Sequence, residues 1–289
     1  MAEKRKIKMA FVILHYNSIE DTEACVDSIK QLERSEECCI VIVDNASPNN
    51  TGKILKEKYE DNKSINVVLA KENYGFSKGN NIGYRLAKKH YDADYITICN
   101  NDIVFEDRDY ITKTESLYSE TDFYVMGPDI YNPKLGIHQS PLGSDSPSKT
   151  AALKTIVLNT VAEITFPLYY LIFGKKQLAK MDMRKDSVQD YDTHKDNVPL
   201  MGACITFSKK MIELKENAFE PITFLYYEEF MLYNYCRNKE LKMVYSPDIK
   251  VIHNEGSATN TAAKDKKDKY KRLIHNIRKA AIVYYKSLK

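Results

Sequence analysis

The sequence predicts an α/β fold, with a mostly parallel central sheet flanked by helices, then a helical insert and a C-terminal amphipathic helix. Three observations predict it. Short apolar runs alternate with longer amphipathic stretches through the first third of the chain, the β-α-β-α pattern of a doubly wound sheet. A long apolar segment, Ala151–Phe173, interrupts that pattern, and a lysine-rich stretch with helical periodicity closes the chain.

Ile7–Leu14 is a short apolar run suited to a buried strand. Asn17 or Ser18 can cap the helix that follows to about Leu32, with Ser18 and Asp21 at capping-box spacing. Cys39–Val43 is a second strand ending in the loop Asp44-Asn45-Ala46-Ser47-Pro48. A lysine-rich helix over Thr51–Glu60 leads to a third strand, Ile65–Leu69. A helix from near Lys78 to His90 then precedes the Tyr95–Cys99 strand, which ends abruptly in Asn100-Asn101-Asp102. Phe123–Met126 and Cys204–Phe207 are further strand candidates, and Pro141–Pro147 is a loop by its Ser, Gly and Pro content.

Ala151–Phe173 is long enough to invite a transmembrane reading. Asn159 and Glu163 share a helical face, Lys154 precedes them and Pro167 interrupts the run, which suits a broken amphipathic helix pair better. Such a pair either packs on the domain or forms a shallow membrane foot. In the C-terminal helix, Tyr270, Leu273, Ile277, Ala281, Tyr284 and Leu288 form one stripe with basic residues away from it, giving the same two alternatives.

Composition narrows the function. The formal net charge of +3 is small for 289 residues and by itself decides nothing about nucleic acid, which is not among the expected partners. The six cysteines are scattered, without a CxxC pair, and read as reduced buried thiols. The N-terminus reads as a first strand, which makes a cytoplasmic protein the expectation. The first βα turn is His15-Tyr16-Asn17-Ser18, with none of the glycines of a dinucleotide site, and no GxxxxGK[ST] loop occurs.

What remains is a nucleotide site of another kind. Asp44 ends the second strand and can accept from a base or ribose. Asn73-Tyr74-Gly75-Phe76-Ser77-Lys78-Gly79-Asn80-Asn81 opens a helix with backbone N–H groups, amides and one lysine near an anion. Asp102, at the edge beyond a strand, is the carboxylate such a sheet offers to Mg²⁺ or Mn²⁺. A capped helix turn and an ordinary Asn-Asp turn explain the same residues without a ligand.

Taken together, Val43–Ser47, Asn73–Phe76 with Gly79–Asn81, and Asn100–Asp102 resemble the inverting family 2 glycosyltransferases, whose Rossmann-like fold is called GT-A. The rhamnosyltransferase-like enzymes of capsule, O-antigen and cell-wall polysaccharide synthesis are the most similar branch. The resemblance covers the core from about Ile7 to His253, with the Pro141–Asn197 insert and the tail outside it. It implies a nucleotide-sugar-binding half over residues 1–130, a loop and helical insert over 131–197, an acceptor and catalytic half over 198–260, and a basic tail helix over 261–289.

The resemblance also implies roles. His15, Asn17, Asp44, Asn73, Gly75, Lys78, Asn80, Asn100 and Asn101 are expected around the nucleotide. Asp102 and His253 are expected at a Mg²⁺ or Mn²⁺ ion. Gly202, Ala203 and Tyr227 are expected near the acceptor. In Phe219–Leu232 relatives carry Glu-Asp with the Asp as base; here the pair is Glu228-Glu229, so Glu229 takes the base role. The implied reaction moves a sugar from a UDP-, dTDP- or GDP-sugar to a hydroxyl of a growing, lipid-linked glycan, at the inner face of the plasma membrane if the apolar segments touch lipid. The alternative is a non-catalytic GT-A scaffold in a glycan-assembly complex.

Overall fold

The computed structural model describes residues 4–181, 190–254 and 266–288. Strand β1 (Arg5–His15) lies inside the sheet, and its side chains alternate between two cores. Met9, Phe11 and Ile13 face one; Ala10 and Val12 face the other. A strand covered by helices on both faces must be apolar on both, which is why the sheet-forming runs are continuous rather than alternating.

Helix α1 (Ile19–Lys30), strand β2 (Cys38–Asp44), helix α2 (Thr51–Lys58) and strand β3 (Ile65–Leu69) follow. Helix α3 (Gly75–His90) begins three residues before the expected Lys78, and β4 (Tyr91–Asn100) extends the expected strand at both ends. Then come β5 (Ile103–Val104), α4 (Tyr110–Thr121), β6 (Val125–Asn132), β7 (Ile137–His138), α5 (Lys149–Ile164) and α6 (Phe166–Met181). The second half adds β8 (Lys195–Asp196), β9 (Cys204–Ser208), α7 (Lys209–Leu214), α8 (Glu228–Asn238), β10 (Met243–His253) and α9 (Lys266–Ser287).

The sheet runs β3-β2-β1-β4-β9-β6-β10-β5, with β7 on β6 and β8 on β10. The four strands from β3 to β4 are parallel, as expected. Strand β9 is not. It lies antiparallel between β4 and β6, so β6 and β10 point the same way as β1 while β9 starts where they end. One edge therefore gathers the ends of β1, β2, β4 and β10 and the beginning of β9. The sheet is continuous through both expected halves, and residue 130 falls inside β6.

The six cysteines are free and buried. Ser18 occupies the cap of α1, but its hydroxyl donates to Asp21 instead of accepting from the helix backbone. Helices α5 and α6 break at Thr165 and bend by 101°, with Pro167 in the first turn of α6, where its missing N–H costs nothing. Helix α9 packs on both. Its buried residues are Tyr270, Ile274, Ala280, Ala281 and Tyr284, so Leu273 and Ile277 lie at the flank of the expected stripe. Glu163 of α5 pairs with His275 and Arg278 of α9.

Candidate active site

The floor of the edge is a polar latch. His15 ends β1 fully buried, with Nδ1 2.6 Å from the Thr22 hydroxyl and Nε2 2.9 Å from that of Thr51, so one imidazole ties together the first two βα loops. Burial holds its pKa below the ordinary range, against a smaller opposing pull from Asp44. Asn101 donates to the same Thr22 hydroxyl (3.1 Å) and to the Ser18 carbonyl (3.2 Å). Sequence reasoning placed His15 and Asn101 against the nucleotide. The structure instead commits both side chains to the protein, because a buried polar group is costly unless paired.

Above this floor Asp44 accepts from the Ser47 N–H (3.1 Å) and hydroxyl, and the Asn17 N–H donates to Ser47 Oγ (2.9 Å). Asn17 has φ of 67°, a left-handed turn that asparagine tolerates. Asn45 donates to Asn73 Oδ1 and to the Gly75 carbonyl, each at 3.1 Å, so the Asp44 loop and the Asn73 loop are one unit. Gly75 is required twice over. Its φ is +75°, and an added Cβ would lie 2.2 Å from the Phe224 carbonyl oxygen, which accepts from the Phe76 N–H at 2.7 Å. Within this loop Lys78 is exposed, while Asn80 is buried with both amide atoms lacking a protein partner.

That contact delivers the second half. Phe224 leads into Tyr226 and Tyr227, which both have positive φ (75° and 69°) immediately before α8. Left-handed backbone at bulky residues costs about 1–3 kcal/mol each and persists only where the surroundings hold it. Here Tyr227 stacks on Tyr284 at 4.8 Å and packs against the cluster that holds Ala152 of α5. Expected near an acceptor, the Tyr227 ring is engaged by α5 and α9, and it fixes where α8 begins.

Helix α8 starts with the two carboxylates in different surroundings. Glu228 is 3% exposed and accepts from Thr223 Oγ1 (3.3 Å), whose hydroxyl is 3.1 Å from Ser77 of α3. Burial, then the neighbouring Glu229, push its pKa up to about 8. Glu229 is half-buried and lies over Gly202: a Cβ there would sit 2.6 Å from Glu229 Oε1. The next residue, Ala203, accepts from the Asn100 N–H at 2.9 Å. Glu229, Gly202, Ala203 and the end of β4 are thus in continuous contact.

Asp102 and His253 meet through the sheet. His253 pairs with Ile103 across β10 and β5, the Asn254 N–H donates to the Asp102 carbonyl (2.9 Å), and His253 Nε2 is 3.2 Å from Asp102 Oδ1. His253 Nδ1 is 2.7 Å from Gln139 Oε1. A carbonyl oxygen only accepts, so Nδ1 carries the proton and, in the neutral ring, Nε2 turns a lone pair toward a carboxylate. A second proton on the ring, pairing it with Asp102 as an ion pair, or a bound metal ion would relieve that juxtaposition. Neighbouring donors on an octahedral Mg²⁺-sized ion with bonds of about 2.1 Å lie about 3 Å apart, so the observed 3.2 Å fits. No group of three or more His, Cys, Asp or Glu side chains is placed to hold a metal among the described residues, so an ion at Asp102 and His253 would need further ligands from outside the chain.

The structure therefore brings Asp44, Asn73, Gly75, Asn100, Asp102, Gly202, Ala203, Glu229 and His253 to one edge. Sequence reasoning missed Gln139, Thr22, Thr51, Ser77 and Thr223. Each acts through a partner distant in sequence, and no local spacing marks them.

The sequence model described as Glycosyl transferase family 2 matches residues 10–171, more than half of the chain. The chain belongs to glycosyl transferase family 2. This family 2 protein is 22% identical over 134 residues to the low-salt glycan biosynthesis hexosyltransferase Agl10 of Haloferax volcanii, covering 46% of this chain and 40% of that protein. Its fold is similar to that of S. aureus TarS 1–349 (TM-score 0.54, 14% identity, 85% of this chain and 60% of that one). It is also similar to the mannosyltransferase PcManGT from Pyrobaculum calidifontis in complex with GDP-Man and Mn²⁺ (TM-score 0.54, 12% identity, 98% and 70%). TarS 1–349 in complex with UDP-GlcNAc gives a TM-score of 0.52 at 15% identity, over 93% and 65%. The chain thus spans less than half the length of its curated relative. The expected GT-A architecture stands, with a mixed central sheet flanked by helices.

Proposed function

We propose that this family 2 protein is an inverting glycosyltransferase that moves a hexosyl or deoxyhexosyl group from a nucleotide-diphosphate sugar to a hydroxyl of a growing, lipid-linked glycan in cell-surface polysaccharide synthesis. The observation that carries the reading is the seat of Glu229: a half-buried carboxylate at a strained helix start, over a glycine, one residue from the backbone bond to β4. Glu229 takes the proton from the acceptor hydroxyl as its oxygen attacks the anomeric carbon and the carbon–oxygen bond to the diphosphate breaks. Attack from the face opposite the leaving group inverts the configuration. Gly202 leaves room for the acceptor to reach Glu229, and the Asp44–Asn73 unit with the unpaired Asn80 amide positions the nucleoside end.

Asp102 and His253 would hold a divalent cation, which would supply charge neutralisation at the diphosphate. The relatives' complexes with GDP-Man and Mn²⁺ and with UDP-GlcNAc support a nucleotide-sugar donor. Rhamnosyl transfer is the finer expectation within this class. The test is hydrolysis of UDP-, dTDP- and GDP-sugars with Mg²⁺, Mn²⁺ or EDTA. One donor is expected to be hydrolysed only with metal, and Glu229→Gln is expected to lower turnover by roughly 10²–10⁴-fold with donor affinity retained. No hydrolysis or transfer with any donor would instead favour a non-catalytic scaffold.

A further inference from the structure

Helices α5 and α6 are amphipathic in an unusual sense. Their inner face is small or aromatic, with Ala152, Ala162 and Phe166 buried against α8 and α9. Their outer face carries Val157, Val161, Ile164, Leu168, Leu171 and Ile172, all exposed, with Ile164 at 77% and Leu171 at 80%. These positions follow helical spacing on each side of the bend, so they form one stripe per helix meeting at the elbow. A continuous aliphatic surface of this kind marks a contact site.

Helix α9, packed on the inner side of the elbow, is cationic where it crosses Phe166 and Tyr170. Lys267 Nζ of α9 lies 5.6 Å from the Tyr170 ring centre, and Lys271 Nζ lies 6.0 Å from that of Phe166. Both lysines are otherwise exposed, and the sequence around them is dense in basic residues. An aliphatic stripe backed by a lysine collar on the helix behind it is the chemistry of an anionic lipid surface, because the attraction of the collar reaches about a Debye length. A second copy of the chain fits less well, since like-charged collars would meet.

No single helix among the described residues is long and apolar enough to cross a bilayer. The 16 residues of α5 reach about 24 Å at 1.5 Å per residue, short of a hydrocarbon core of about 30 Å. A 101° bend then turns the chain aside. Taken together the bent pair is apolar enough to enter a bilayer, and the bend suits a pair lying along the surface.

We propose that the α5–α6 elbow docks on an anionic bilayer, with its aliphatic stripe in the acyl boundary and the α9 lysines among the headgroups. The docked element touches the candidate active site directly. Tyr227 packs against the cluster that holds Ala152 of α5, and Tyr284 of α9 stacks on its ring, so the loop presenting Glu228 and Glu229 is braced against the membrane-facing helices. The proposal deepens the transferase reading by placing the catalytic loop beside the bilayer, where a lipid-linked acceptor lies, but its test requires no turnover.

The experiment is flotation of the full chain with vesicles of phosphatidylcholine alone or mixed with phosphatidylglycerol. The wild type is expected to float with the anionic vesicles. Ile164→Glu with Leu171→Glu, at exposed positions outside the candidate site, is expected to lower partitioning by more than about tenfold with unchanged melting temperature. Lys267→Glu with Lys271→Glu is expected to lower it by at least about fivefold per lysine, in anionic vesicles only. Failure of the wild type to float, or wild-type partitioning by the apolar pair, overturns the proposal. So does a wild-type dimer in sedimentation that the apolar pair dissolves without any vesicle binding. Calorimetry of donor binding without vesicles reports separately on the transferase reading.

Discussion

Gly202→Ala isolates the placement of Glu229. The added methyl would lie 2.6 Å from Glu229 Oε1, 3.1 Å from its Cγ and 3.2 Å from its Cδ, so the carboxylate must retreat by about 0.8 Å to restore an ordinary 3.4 Å contact. The displaced atoms are the end of a flexible, half-buried side chain, so the fold yields there cheaply. Because Gly202 does not have a positive φ, alanine adds no backbone strain and removes some unfolded-state freedom. The melting temperature is therefore expected to stay level or rise slightly. Turnover is expected to fall by about 10²-fold, the typical loss for a misplacement near 1 Å, or about 2.7 kcal/mol of barrier. The assay is metal-dependent sugar-nucleotide hydrolysis and transfer, with donor affinity measured by calorimetry. In the background of Glu229→Gln the same substitution should add little, because both act on one group. Turnover within about threefold of wild type would refute the reasoning, and so would an equal loss of donor affinity.

Gln139→Leu removes the acceptor that fixes the His253 ring, and calorimetry of Mn²⁺ with a nucleoside diphosphate is expected to show affinity about 10–100-fold weaker; unchanged affinity would count against the Asp102–His253 site. Gly75→Ala meets the Phe224 carbonyl at a positive φ, so it should destabilise the fold by at least about 1 kcal/mol and weaken donor binding, seen by thermal melts and titration. Glu228→Gln tests the buried acid: its folded pKa is raised from 4.5 to about 8, so its contribution is fully present below about 4.5 and lost as pH rises through about 8. The variant should melt like wild type at pH 4.5 and above it at pH 8, and parallel melting curves across that range would show that Glu228 is not buried as an acid.

The first half of the fold was legible because buried parallel strands read as uninterrupted apolar runs. Ile65–Leu69 was placed with its observed bounds, and Asp44 and Asn100 fell at strand ends where the sheet edge gathers them. The reversal of β9 carried no such signal. An apolar run has the same composition in either direction, yet that reversal sets Gly202 and Ala203 beside Asn100. The His15 latch was illegible for a related reason. A polar residue at a strand end suits a ligand and a structural tie equally, and only the positions of Thr22 and Thr51 decide between them. Gln139 lies 114 residues from His253, beyond the reach of any local pattern.

The adjacent glutamates show why side-chain identity alone could not assign their roles. Both begin one helix, where the N-terminal dipole favours negative charge, but the fold treats them oppositely. Thr223 and Ser77 enclose Glu228 between α8 and α3, and burial there favours its neutral form. Glu229, one residue on, points at a position emptied of a side chain by Gly202. A charge on Glu229 is itself among the causes that hold Glu228 protonated. The pair thus divides labour through environment, one acid packed as structure and the other left accessible, as paired carboxylates do wherever their surroundings push their pKa values apart. The left-handed backbone at Tyr226 and Tyr227 immediately precedes both carboxylates, strain of the kind that surroundings must hold in place.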